Sequence, residues 1–151
     1  MIICICGGGN LGHVCAGFLA NGGHQVSILT TKPERWNTEL KIVAPDKTFT
    51  GELALVTSKP EEVIPQAEMI LVCLPGFAIH EELVNIKPYL SKDCIVGSVV
   101  SSTGFFFEAF AVLSSDISLF GFQRVPFISR IIEYGREAEL KGYKETLHVA
   151  I

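Results

Sequence analysis

The chain lacks the features that would send it to a membrane or to nucleic acid. No apolar stretch approaches the roughly 18 residues that a membrane helix needs. Met1-Ile2-Ile3 carries no positive charge ahead of its apolar run, and glycines cut that run short, so it does not read as a signal peptide. Long basic runs are absent and the formal net charge is −4, which excludes the polycation that duplex nucleic acid would attract. The five cysteines, Cys4, Cys6, Cys15, Cys73 and Cys94, never form a C-x-x-C pair. They read as buried free thiols in a reducing cytoplasm, not as a metal site or a disulfide framework. Internal repeats, low-complexity segments and linkers are missing too. At 151 residues, 48% hydrophobic and 19% charged, the sequence fits one folded domain with a proper core.

What is present begins at once. Ile2 to Cys6 is an unbroken apolar run, and Gly7-Gly8-Gly9-Asn10-Leu11-Gly12 follows it. Val14, Cys15, Phe18 and Leu19 then recur at helical spacing until Gly22-Gly23. This is strand, glycine turn, helix. Gly7, Gly9 and Gly12 fill the glycine places of G-x-G-x-x-G: a tight turn, room for a pyrophosphate at the backbone, and close helix–strand packing. The phosphates of a dinucleotide would meet the free N–H groups at the start of helix 10–21, with Asn10 and Leu11 in its first turn. A turn without a ligand would need fewer glycines.

The second strand, Gln25–Thr30, has no acid at its end, where an NAD-binding domain usually places one about 20 residues after the glycines. Thr30, Thr31, Lys32, Arg35 and Trp36 stand there instead. The hydroxyls and cations suit a dianionic 2′-phosphate, and Arg35 or Trp36 can cover an adenine face. This favours NADP, with Glu34 keeping NAD as the alternative.

Lys41–Ala44 and Lys47–Thr50 flank the turn pair Pro45-Asp46, and Leu53–Thr57 is a further strand. Ser58, Pro60 and Glu61 read as a capped start to a short helix. Met69–Leu74 is wholly apolar and stops at Pro75, as a central parallel strand does. Helix 78–89, disturbed at Pro88, strand 94–100, helix 105–113 and strand 117–122 follow. The alternation predicts an α/β, doubly wound, mainly parallel sheet of order 3-2-1-4-5-6. Its ligand crevice lies where Gly7–Gly12 faces Leu74–Phe77. Ser101, Ser102 and Thr103 fall near the nicotinamide end.

Arg130–Ile132, Glu137–Lys141 and Thr146–Ile151 read as antiparallel strands appended to that sheet at the C-terminal end. Gln123, Arg124 and Arg130 lie around Pro126, and an arginine there can bind a substrate carboxylate through two hydrogen bonds. His13, His24, His80 and His148 are scattered, with no Ser, Cys or Asp arrangement that makes a nucleophile. A cationic His13 would oppose the helix dipole. Glu61-Glu62 and Glu81-Glu82 read as solvated helix faces.

The glycine motif, the segment Leu29-Thr30-Thr31-Lys32-Pro33-Glu34-Arg35-Trp36 and the segment Gly121-Phe122-Gln123-Arg124-Val125-Pro126 resemble the N-terminal Rossmann domain of the octopine/nopaline (opine) dehydrogenase family. More broadly, the chain is similar to the cofactor domains of ketopantoate reductase and 6-phosphogluconate dehydrogenase. The resemblance covers nearly the whole chain. It implies that residues 1–151 are a dinucleotide-binding domain of an oxidoreductase. Such an enzyme joins an amino acid to a 2-oxo acid with hydride from NAD(P)H. It also implies a following helical domain that supplies the catalytic histidine and its carboxylate partner. The alternatives are a ketopantoate reductase-like or other 2-hydroxy acid dehydrogenase domain, or a non-catalytic nucleotide-sensing module. An exposed edge of appended strands calls for cover by the further domain or by a second subunit, as in a homodimer.

Overall fold

The computed structural model describes residues 1–101 and 104–151. Of the three predicted nicotinamide-end residues, Ser102 and Thr103 lie outside the described residues. Strand β1 (Ile2–Cys6), helix α1 (Asn10–Asn21) and strand β2 (Gln25–Leu29) open the chain, followed by a 3-10 turn at Pro33–Arg35. Next come β3 (Glu39–Val43), β4 (Thr48–Glu52), β5 (Leu55–Thr57), α2 (Pro60–Val63), β6 (Met69–Val72) and α3 (Gly76–Ile86). After α3, a 3-10 turn at Lys87–Tyr89 accommodates Pro88. The rest is β7 (Ile95–Ser98), α4 (Phe105–Val112), β8 (Ser118–Phe122), β9 (Phe127–Glu133), β10 (Glu137–Tyr143) and β11 (Val149–Ala150).

The larger sheet has the order β5-β2-β1-β6-β7-β8-β11, parallel from β5 to β8 with β11 antiparallel at the edge. This is the predicted doubly wound order with one strand added. Successive side chains of a strand point to opposite faces, and β1 divides its residues accordingly. Ile3 and Ile5 enter the core cluster shared with α1, while Cys4 and Cys6 enter the cluster shared with α3 and α4. β6 makes the same division: Leu71 joins the first cluster, Ile70 and Val72 the second. All five cysteines are buried and free.

The tail departs from expectation. Only β11 extends the parallel sheet. β9 and β10 join the β3–β4 hairpin in a separate sheet of order β4-β3-β10-β9, with β10 parallel to β3. The physical reason is the alternation in both strands. Leu40 and Ile42 on β3, and Ala138 and Leu140 on β10, are fully buried in the α1 cluster while their neighbours face outward. Helix α1 is thereby enclosed between two sheets, and Gly12 to Gly17 are buried without interruption. That enclosure requires small residues. A Cβ on Gly51 of β4 would strike the Gly17 carbonyl of α1, and one on Gly17 would lie 2.5 Å from Ile42 Cγ1.

The start of α2 also differs. Ser58 and Glu61 do not cap it. Thr57 does the work one residue earlier: its Oγ1 accepts from the Lys59 N–H at 3.1 Å and donates to Glu62 Oε2 at 2.7 Å. Thr57 is buried in the sheet and Ser58 is exposed, so the threonine hydroxyl is the one held in place.

Gly51→Ala should push α1 away from β4 and cost about 1–3 kcal/mol. Chemical denaturation should show a lower midpoint with an unchanged slope; an unaltered midpoint would refute the close-packing account.

Candidate dinucleotide site

The site forms where the strand order reverses, between β1 and β6, the position at which doubly wound sheets bind ligands. Gly7 leaves β1 with φ +117, a conformation that L side chains rarely adopt. A Cβ there would also stand 2.9 Å from the Cys73 carbonyl oxygen. Gly12 lies beneath, against the Gly7 carbonyl. Gly9 caps α1 without a side-chain hydrogen bond, so the first N–H groups of the helix have no intrahelical partner and point out of its end. Partial positive charge gathers there, as an anion requires.

His13 holds this loop. It is fully buried, with Nδ1 2.9 Å from the Gly9 carbonyl oxygen and Nε2 2.8 Å from the Gly135 amide nitrogen. Nδ1–H therefore donates to Gly9, and Nε2 accepts from Gly135 between β9 and β10. Only the neutral imidazole can do both. Burial pushes its pKa down to about 4, which removes the conflict with the helix dipole that a cation would bring. Asn10 ties down the same segment, its Oδ1 accepting from the Ile131 N–H at 2.8 Å.

Trp36 lies behind the loop and not over a ligand. Its ring centroid is 4.0 Å from that of His13 and 5.7 Å from that of Tyr134, and the residue is 9% exposed. It therefore offers no open face to an adenine. The Arg35 guanidinium sits 4.5 Å from the Tyr134 ring centroid. Lys32 is exposed. Gly8 fits against Tyr134 Oη and Thr30 Oγ1.

Two hollows open on either side of Leu74. The first is a crevice of about 580 Å³. Gly9, Asn10 and Leu11 form one wall, Cys73, Leu74 and Pro75 a second, and Val100, Val125 and Ile128 to Arg130 the third. Arg130 brings a cation to that wall, with one guanidinium N–H donating to the Ser129 carbonyl at 2.8 Å. The second hollow, about 130 Å³, is bounded by Gly7, Gly8, Leu29, Thr30, Thr31, Ser58, Leu74, Glu82 and Asn85. It shares Thr31, Leu74, Glu82 and Asn85 with a groove of about 570 Å³ along α3. Gln123 lies elsewhere, in a hollow with Ser101, Gly121 and His148. Arg124 is exposed and lines neither main hollow.

Sequence reading missed Glu82. It is only partly exposed, burial raises its pKa, and the Cys6 thiol and Asn85 amide oppose that rise. The neighbouring Glu81 is exposed. The signal available was Glu82's position, three residues after Ile79 and one before Leu83 on the packed side of α3. The remaining histidines do other work. His80 pairs with Glu108 at 2.7 Å on the outer surface of α3 and α4.

Comparison with known proteins agrees with this geometry. Residues 3–102 match the family model for ketopantoate reductase PanE/ApbA. The chain belongs to that family. Its curated relatives include the octopine dehydrogenase of Pecten maximus, 28% identical over 99% of this chain and 42% of the relative. The tauropine dehydrogenase of Arabella iricolor is 29% identical over 97% and 41%. A structure of octopine dehydrogenase in complex with NADH and agmatine superposes with a TM-score of 0.90 at 27% identity, covering 97% of this chain and 41% of that one. A PanE/ApbA family ketopantoate reductase from Ralstonia eutropha JMP134, at 20% identity and TM-score 0.78, shares the fold. The chain spans about two fifths of the length of the curated relatives it matches. Among the described residues, no helix is long and apolar enough to cross a membrane.

The His13 bridge carries a pH dependence. The unfolded histidine binds its proton near pH 6.5 and the folded one near pH 4. Stability due to this group is complete above pH 6.5 and falls as pH drops towards 4, by at most about 3 kcal/mol. The curve for His13→Phe should lack this component and should start about 1–3 kcal/mol lower at pH 7, since the Gly9 carbonyl and Gly135 N–H lose their partner. Parallel pH curves for the two proteins would contradict the neutral bridge.

Proposed function

We propose that the chain is the dinucleotide-binding domain of an opine dehydrogenase-like oxidoreductase, which reductively joins an amino acid to a 2-oxo acid. The observation that carries this reading is the crevice at the strand reversal, with a helix N-terminus on one wall and Arg130 on another. The residues fit an NAD(P) cofactor. Gly7 and Gly9 leave the backbone open, and the helix start offers unpaired N–H groups to a pyrophosphate. Leu74 and Pro75 pack against the nicotinamide ribose and shut out water on that side. Thr30, Thr31 and Lys32 meet the adenosine ribose. When bound, the nicotinamide supplies the hydride.

Arg130 receives a substrate carboxylate through its remaining guanidinium donors. The acid–base work belongs, on this reading, to a histidine and a carboxylate of a further helical domain. His13 cannot provide it, because it is buried and both its ring nitrogens are engaged. Lys32 is exposed at the end of β2 and suits a 2′-phosphate, which keeps NADPH as the first cofactor to test and NADH as the second. The ketopantoate reductase-like alternative draws its support from the family match over residues 3–102.

Two measurements decide these points. The full-length protein should oxidise NAD(P)H with a 2-oxo acid only when an amino acid is supplied. Oxidation with the oxo acid alone would favour the alternative. In calorimetric titrations, Lys32→Ala should weaken NADPH by about tenfold and leave NADH nearly unchanged. Equal effects on both cofactors would remove Lys32 from the 2′-phosphate site.

A further inference from the structure

The crevice does not end at Arg130. The hollow of about 310 Å³ that holds Gln123 and His148 adjoins it on the side of the edge strand β11, whose Val149 and Ala150 form part of the wall. Val100 and Val125 line the crevice while Ser101 and Gln123 line the hollow, so near neighbours in the chain carry one wall into the other. Backbone bonds fix the floor. The Gln123 N–H donates to the His148 carbonyl at 2.9 Å, and β11 pairs with β8 at Phe122 and Gly121. The Ser101 hydroxyl donates to the Phe122 carbonyl, and Gly121 leaves room for it: a Cβ there would lie 2.5 Å from Ser101 Cβ. Gln123 and His148 are exposed, and each brings an N–H donor to the space.

Positive charge gathers on the same surface. The segments that frame the hollow, 121–130 and 143–150, carry Arg124, Arg130 and Lys144 against one acid, Glu145, in a chain whose net charge is −4. The Lys144 N–H donates to the Pro126 carbonyl at 2.9 Å, which ties the two segments together. Among the described residues that line the hollow, none is acidic.

We infer that this hollow takes a second carboxylate, so that the enzyme selects a substrate with two acidic groups, one on Arg130 and the other on Gln123 and His148. The inference rests on the oxidoreductase reading proposed above and names the substrate class of that site. A carboxylate accepts at both oxygens and meets the donors of the glutamine amide and the imidazole. The surrounding cations offset the repulsion that an acidic protein otherwise exerts on a second negative charge. An uncharged amide of the same shape gains the hydrogen bonds and forgoes that attraction. The second carboxylate has two possible sources, a dicarboxylic 2-oxo acid or an amino acid with an acidic side chain.

The test is NAD(P)H oxidation by the full-length protein in two arms. The first compares 2-oxoglutarate with 2-oxopentanoate, its monocarboxylic counterpart, each offered with a panel of common amino acids. The second compares glutamate with glutamine, each offered with pyruvate. In one arm kcat/KM should favour the acidic compound by at least about tenfold, the range expected for hydrogen bonds to a charged group, and the arm that responds identifies the source. His148→Ala and Gln123→Ala should each cut that preference several-fold, chiefly through KM. His148→Gln keeps an N–H donor and should restore part of it. Both residues are exposed, so the variants should unfold at the denaturant midpoint of the unaltered protein. A preference in neither arm, or one unchanged in both alanine variants, would overturn the inference and leave the oxidoreductase reading standing. Absence of oxidation with every pair would overturn both. The preference separates recognition from a merely structural role, because a general loss of folded enzyme lowers the rates of the paired compounds alike.

Discussion

The hydrogen bonds of one neutral histidine join the two halves of this domain. His13 stands in the first turn of α1, one bond reaching back to Gly9 and the other across to Gly135. The Gly9 bond fixes the carbonyl at the end of the glycine loop. The Gly135 bond fixes the turn between β9 and β10. Around the imidazole, Trp36 and Tyr134 exclude water, which keeps the ring uncharged and the bonds strong. The Gly135 turn is docked from the other side as well: its carbonyl accepts from the Asn37 N–H at 3.0 Å, and its Cα lies too close to the Arg35 carbonyl for any side chain.

Because the second sheet is held this way, α1 has no solvent side from Gly12 to Gly17. That explains the glycine at Gly17, where a Cβ would meet Ile42 and Leu40 of β3 and where an amphipathic surface helix would carry a polar residue. It also explains why the far wall of the crevice comes from the tail. Val125 and Ile128 to Arg130 reach the crevice only because β9 lies alongside α1, held through Asn10 to Ile131 and through His13 to Gly135.

The first half of this arrangement was legible in the sequence. An unbroken apolar run, three spaced glycines and a helical repeat specify β1, the loop and α1 within residues that are neighbours in the chain. Met69–Leu74 followed by Pro75 located the opposing strand for the same reason. The second sheet was not legible, because pairing β10 with β3 depends on contacts between distant segments, and an alternating strand pattern names a buried face without naming its partner. Trp36 looked like a ligand platform because the sequence places it after the β2 end; only packing against His13 shows that it faces inward. Glu81 and Glu82 are identical letters side by side, and a helix turns them to different surroundings. The capping threonine was missed in the same way, since Thr57 and Ser58 carry the same hydroxyl chemistry.

The charges of the site follow from this construction. Leu74 divides the space into a side with Arg130 and a side with Glu82, and the α1 N-terminus lies at the junction. On the proposed reading, an anionic pyrophosphate meets the helix N-terminus and a carboxylate substrate meets the cation. Arg130 owes its place to β9, and β9 owes its place to Asn10 and His13. The loop that receives the cofactor and the arginine that receives the substrate are therefore parts of one hydrogen-bonded assembly, so a disturbance at the buried imidazole reaches both.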